Sequence, residues 1–356
     1  MKSLPILMAA LIAFPAIAQR SKNKTEVSVP SSVSYGVQYT LPRTAILIKV
    51  EATQTTFIPG PYAPWAEPLL GIKDAKTKAQ SFWHIEKISF DTFADPDPTQ
   101  MYKTNNPVGA LLQLTPEGCL AGINSNAATG KKELPVSNSF TTKHQAKTLS
   151  FDYMIDNPNL SGRTAPEQRA AEAAFRILKV RATRYDIAAG LLDEFHPDGE
   201  AYQESFRELN AIEEKNLALF TGKSVTENST FYFEYIPASE PTKGEVIFRF
   251  DENLGFLSKN DFSGKPVTID VEKEVTSQPA EAQTSLLPAT PSSGIYYRQP
   301  GIALVRLTKE LAEIATTRVP IAQFGKIELL PADLIIEGFS VEFYPETGGI
   351  KSVSKK

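Results

Sequence analysis

Residues 45–57, AILIKVEATQTTF, place Ile46, Ile48, Val50 and Ala52 on one side of the chain and Lys49, Glu51, Thr53 and Thr55 on the other. A period of two with β-branched residues predicts a strand with one buried face. Pro59-Gly60-Pro61 stops it. An amphipathic turn or short helix, Tyr62 to Leu70, follows and ends at Gly71. Further strands are expected over 81–90 and 110–114, separated by the turn-rich segments DPDPTQ (95–100) and TPEG (115–118). Upstream, residues 19–34 are polar and small, and the stretch to residue 35 reads as a flexible lead-in.

The period changes in the middle of the chain. Thr164-Ala165-Pro166-Glu167 fits a capping box with Thr164 as N-cap. Ala171, Ala174, Leu178, Ala182, Tyr185, Ala189 and Leu192 then recur at spacings of three and four, which predicts one apolar helical stripe. His196-Pro197-Asp198-Gly199 breaks the chain. A second helix carries Tyr202, Phe206, Leu209, Ile212 and Leu219 and closes at Gly222. The first helix is rich in arginine and the second in glutamate, so the two are expected to pair as an antiparallel hairpin. Exposed ion pairs choose orientation more than they stabilise.

Beyond Asn228 strand patterns return over 231–236, 245–250, 266–272, 294–307, 324–330 and 334–344. Residues 276–293, rich in Pro, Ser, Ala and Gln, read as a linker, Pro345 to Gly348 as a turn, and the last basic residues as frayed. The expected class is α+β, with mostly antiparallel β-rich N- and C-terminal parts and an inserted antiparallel helical hairpin. The corresponding division is 1–18 signal, 19–35 lead-in, 36–160 N-terminal β-rich domain, 161–224 helical hairpin and 225–356 C-terminal β-rich domain.

The signal assignment rests on three features. Lys2 gives a positive start, Leu4 to Ala16 form an apolar run containing Pro5 and Pro15, and Ala16-Ile17-Ala18 is a small-x-small cleavage site. The run is shorter than the roughly 20 residues of a span, so cleavage after Ala18 and export to the periplasm or cell surface are expected. Charged residues interrupt every later apolar segment, and no transmembrane segment is expected in the mature chain. The formal net charge is −4, without the basic excess a nucleic-acid binder shows. Cys119 is the single cysteine, so no intrachain disulfide can form and packing has to supply the stability.

Fragments of catalytic motifs fail on context. Thr221-Gly222-Lys223-Ser224 copies the end of a phosphate-binding loop, but Leu217 stands where that loop needs glycine. His84-Ile85-Glu86 has the spacing of a zinc deaminase, but the required cysteine pair is absent. His84, His144 and His196 form no ligand pair by spacing. Gly338-Phe339-Ser340-Val341-Glu342 lacks the second glycine of a nucleophile elbow. Ser21/Lys24 and Ser352/Lys355 have serine–lysine spacing but lie in tails. Cys119 reads as a small buried hydrophobe. Asp95 and Asp97 read as turn residues, without the further ligands and the glycine that a calcium loop needs. No cofactor, metal or catalytic residue is therefore expected.

Five segments carry a resemblance: YTLPRTAILIKVEATQTTFIPGPYAPWAEPLLGI (39–72), LFTGK (219–223), IYYRQPGIALVRL (295–307), IAQFGKIELLP (321–331) and FYPETGGIKSV (343–353). In this order they resemble the domain-of-unknown-function family four-eight-three-one, exported proteins of similar length from Gram-negative, Bacteroides-type bacteria. The resemblance implies an envelope location and brings no activity, substrate or site residue.

The function expected from the residues is a non-catalytic envelope protein that binds another envelope protein or a glycan, and not nucleic acid. Tyr297, Arg298 and Gln323 are the ligand-binding candidates, because they bring aromatic, charged and amide groups beside Gly301 and Gly325. Ordinary strand-surface roles are the plain reading of the same three. The alternative function is an envelope hydrolase acting on glycan or peptide through a carboxylate pair.

Overall fold

The structure, a computed structural model, describes residues 36–105, 108–125, 135, 151, 165–191, 199–274 and 294–355. The signal, the lead-in, the 276–293 linker, Thr164, Leu192, His144 and His196 lie outside the described residues. Strand β1 runs Gly36–Ile58, helix α1 Ala66–Leu70, and β2 Gln80–Asn105. Then come β3 (Leu112–Leu114), β4 (Leu120–Ile123), α2 (Pro166–Ala189) and α3 (Gly199–Thr221). The rest is β5 (Lys223–Tyr235), β6 (Thr242–Asp251), β7 (Gly255–Leu257), β8 (Lys265–Lys273), β9 (Gly294–Lys309), β10 (Ala312–Pro331), α4 (Ala332–Ile336), β11 (Phe339–Phe343) and β12 (Ile350–Lys355).

The strands form three antiparallel sheets ordered β2-β1-β5, β10-β9-β8-β6-β7 and β12-β11-β4-β3. The fold is α+β, with an inserted pair of packed helices. Residues 36–356 cluster as one compact unit, and β4 pairs with β11, so the sheets draw strands from both sides of the helices. Among the described residues no helix is long and apolar enough to cross a membrane.

Alternation builds the largest core. Ile46, Ile48, Val50 and Ala52 of β1 are buried together with Phe231 and Phe233 of β5. They face Phe248 and Phe250 of β6, Val267, Ile269 and Val271 of β8, and Val305 and Leu307 of β9. The Phe233 and Phe248 rings stack at 4.2 Å. Each such side chain contributes about 1.5–3 kcal/mol on burial. A second core joins Tyr39 and Leu41 of β1 to Leu120, Ile123, Ile295, Leu330, Ile335, Val341 and Phe343. A single strand, β1, thus serves the first core with one half and the second with the other.

At that handover both long hairpins change register. In β1–β2, Thr40 pairs with Met101 and Pro42 with Pro96, so residues 97–100 bulge opposite Leu41. In β9–β10, Gly301 pairs with Ile321 and Gln299 with Lys326, so residues 322–325 bulge opposite Pro300. Pro300 has no N–H to lose there. DPDPTQ is therefore a bulge within one strand and not the turn its composition predicts.

Other readings also change. The segment 334–344 splits, because α4 ends before Gly338, whose φ of +84° turns the chain into β11. The expected frayed end is instead the edge strand β12, paired with β11. Helix α2 starts at Pro166 with Ala165 as its N-cap residue, whose side chain makes no capping hydrogen bond. Its buried face is Ala170, Ala173, Ala174, Ile177 and Val180, and the first four pack with Tyr62, Ala66, Leu219 and Phe220. Of the predicted stripe, Ala174 alone is buried, whereas Ala171, Leu178, Ala182, Tyr185 and Ala189 are exposed. The β-branched Ile177 and Val180 take the inner side, and the larger Leu178 and Tyr185 the outer.

Candidate functional site

The paired bulges bring distant segments together. Asp97 sits in the β2 bulge, where one carboxylate oxygen accepts from the Thr99 N–H at 3.0 Å and the Thr99 hydroxyl at 2.6 Å. Its other oxygen pairs with Nη2 of Arg298 at 2.5 Å, and the two side chains are only 12% and 8% exposed. Beside it Arg43 pairs with Asp95. Burial pushes the Asp97 carboxyl up, but the Thr99 hydrogen bonds and the positive charges of Arg298 and Arg43 outweigh it and leave the group below its ordinary range. A bulge that re-aims a side chain is the usual structural use of this irregularity.

Gln323 ties the second bulge to β1. Its Oε1 accepts from the Thr44 N–H at 2.8 Å, and its Nε2 donates to the carbonyls of Thr44 and Pro237, both at 3.0 Å. Thr44 is fully buried. Its hydroxyl donates to the Glu346 carbonyl and accepts from the Ala322 N–H. The glycines singled out from the sequence act by close approach. A Cβ at Gly325 would lie 1.8 Å from the Gln299 carbonyl oxygen, and one at Gly301 2.7 Å from that of Phe324.

Tyr297 faces the other way. It lines a groove of about 350 Å³ with Pro300, Pro320, Tyr344, Glu346 and Ile350. Gln299, Thr347 and Gly349 complete the wall. Tyr344 is 45% exposed. The Tyr297 hydroxyl donates to Glu328 at 2.9 Å. Burial and that carboxylate push its phenol up to about 12, so it stays neutral and a donor across ordinary pH. The segment 344–349 that forms one wall is a tight turn, in which the Gly348 N–H returns to the Tyr344 carbonyl at 2.7 Å.

The three candidates therefore divide. Tyr297 reaches the groove, whereas Arg298 and Gln323 hold the junction beneath it. Sequence reasoning missed Tyr344, Pro320 and Glu346. The Pro345–Gly348 turn was legible, but nothing local shows that it folds back over β9.

Chemically the groove offers ring faces, proline edges, an amide and a carboxylate. Among the described residues, the carboxylates moved from their ordinary range (Glu51, Asp97, Glu213, Asp251, Asp261 and Glu272) lie below it, whereas a general acid needs one raised. Cys119 is buried, and burial together with the Glu117 charge pushes its thiol up to about 11, the opposite of an activated nucleophile. Among the described residues no group of three or more His, Cys, Asp or Glu could hold a metal ion.

No curated protein and no solved structure matches the chain. Residues 35–351 match the family model described as Domain of unknown function (DUF4831), a span that includes both bulges and the whole groove. With nearly its full length inside that match, the chain belongs to the DUF4831 family.

Proposed function

We propose that this is an exported, non-catalytic envelope protein that binds a glycan in the groove between Tyr297 and Tyr344. The observation that carries the reading is that groove: two tyrosines and two prolines around about 350 Å³, with Gln299 and Glu346 at its wall. Apolar surface with a few placed polar groups is the usual make-up of a small-molecule site. Sugar rings combine C–H faces that lie on tyrosine with hydroxyls that an amide and a carboxylate can bind. The junction beneath supports the site, because Arg298, Gln323 and Thr44 fix both strands that carry it. Export is supported by residues 1–18.

The test is a glycan array followed by calorimetry with the best binder. Tyr344→Ala and Tyr297→Ala are each expected to weaken binding at least about tenfold, or about 1.4 kcal/mol, with unchanged melting behaviour for the first. Binding that survives both substitutions would sink the groove as the site. Fractionation of the native cell checks the location, and an uncleaved chain in the cytosol would overturn the export reading.

A further inference from the structure

Helix α2 carries a second apolar stripe that no part of this chain described here covers. Ala171, Phe175, Leu178, Ala182, Tyr185 and Ala189 follow spacings of four, three, four, three and four. All six are exposed, with Phe175 at 66%, Leu178 at 50% and Tyr185 at 68%. At about 100° per residue they lie within one narrow band, about 120° around the helix from the buried Ala170–Val180 face. This is the seam of a helix that packs a second helix at a shallow angle, knobs into holes.

The charges beside the seam say which helix. One flank carries Glu172, Lys179 and Asp186, alternating in sign at intervals of seven. When two identical helices pair antiparallel, the same flank of each meets the other. A twofold axis between Arg176 and Ile177 sets Phe175 against Leu178 of the copy and Ala171 against Ala182, each twice. It also sets Glu172 against Lys179, twice. Sliding one helix by a full heptad puts Lys179 against itself and Glu172 against Asp186, which repels. On the far flank Arg181 is held by Glu213 of α3 at 2.7 Å, and Arg184 is bound to the same carboxylate. Two of the helix's basic side chains are thus committed within the protein and not spare for an anionic surface.

We propose that α2 is a self-association surface, on which a second copy of this chain docks antiparallel through Phe175 and Leu178. One helix face buries an area at the low end of specific interfaces, below about 1,200 Å², so the dimer is weak and depends on concentration.

Sedimentation equilibrium of the purified, intact protein from about 1 to about 100 μM tests this. The expected result is a shift from monomer to dimer mass across that range. Phe175→Glu with Leu178→Glu should weaken association at least about tenfold with unchanged circular dichroism, because both side chains are exposed. Lys179→Glu alone should also weaken it, and adding Glu172→Lys should restore it to within about threefold. That rescue holds the test even if the seam variant misfolds. Monomer mass at every concentration overturns the proposal, as does a dimer indifferent to the seam substitutions. Binding to vesicles of anionic phospholipid by a strictly monomeric protein, lost in the seam variant, overturns it in favour of a membrane surface.

Discussion

Tyr297 and Arg298 are neighbours in one strand with opposite surroundings. Arg298 points into the junction, 6% exposed, and meets a carboxylate 201 residues away in sequence. Tyr297 points to the other face, where its ring borders an open groove and its hydroxyl reaches across to Glu328. The period of a strand makes this division unavoidable, since successive side chains leave by opposite faces. Arg298 is fixed by charge and hydrogen bonds, while Tyr297 packs in part on Phe343 of the second core and keeps an edge in the groove. The closed side does the positioning, and the open side is the one we propose meets a ligand.

The largest effect should come from opening the closed side. Arg298→Ala leaves the Asp97 carboxylate buried without its cation and should cost about 3–5 kcal/mol of unfolding free energy, read from urea denaturation midpoints. A loss below about 1 kcal/mol would mean the pair is a spectator. Asp97→Asn should cost less, about 2–3 kcal/mol, since the amide keeps a hydrogen bond. It also changes the acid response. The Asp97 carboxyl titrates lower when folded than the unfolded value of about 3.9. Its contribution is therefore complete above that value and is lost as pH falls through the folded value. The native protein should weaken below about pH 4 more steeply than Asp97→Asn does, and parallel curves would reject the assignment. Gln323→Ala strands the backbone groups of Thr44 and should cost about 1–3 kcal/mol by thermal unfolding. Smallest is Tyr344→Ala on the open side, within about 0.5 kcal/mol. A larger drop would show that the groove wall is structural.

Much of the fold was legible wherever a period ran unbroken. AILIKVEATQTTF reads as a one-sided strand, and Ile46, Ile48, Val50 and Ala52 on its apolar side are buried. Misreadings arose where two structures share one chemistry. Bulges and turns both favour Pro, Asp and Thr, so DPDPTQ could be either, and only its partner Leu41 decides. The apolar run Leu334–Ile336 suits helix or strand equally until Gly338 adopts a positive φ. Helix α2 has two apolar stripes, and which one faces inward depends on Tyr62 and Phe220, far away in sequence. The site was legible only in part. YYRQP announced an aromatic on a strand, which gave Tyr297. That Arg298 would be closed off by Asp97, and Gln323 by Thr44, depends on pairings across 201 and 279 residues, which no local pattern encodes.

The spine strand β1 has a consequence for the order of events during synthesis. Its neighbour β2 follows within a few dozen residues, but its other neighbour, β5, ends at Tyr235. Until that residue has emerged, one edge of a 23-residue strand stays without its partner. Pairings that must wait for so much chain fold slowly and leave sticky edges exposed. A nascent chain halted just short of β5 should be the species that clumps or calls for a chaperone.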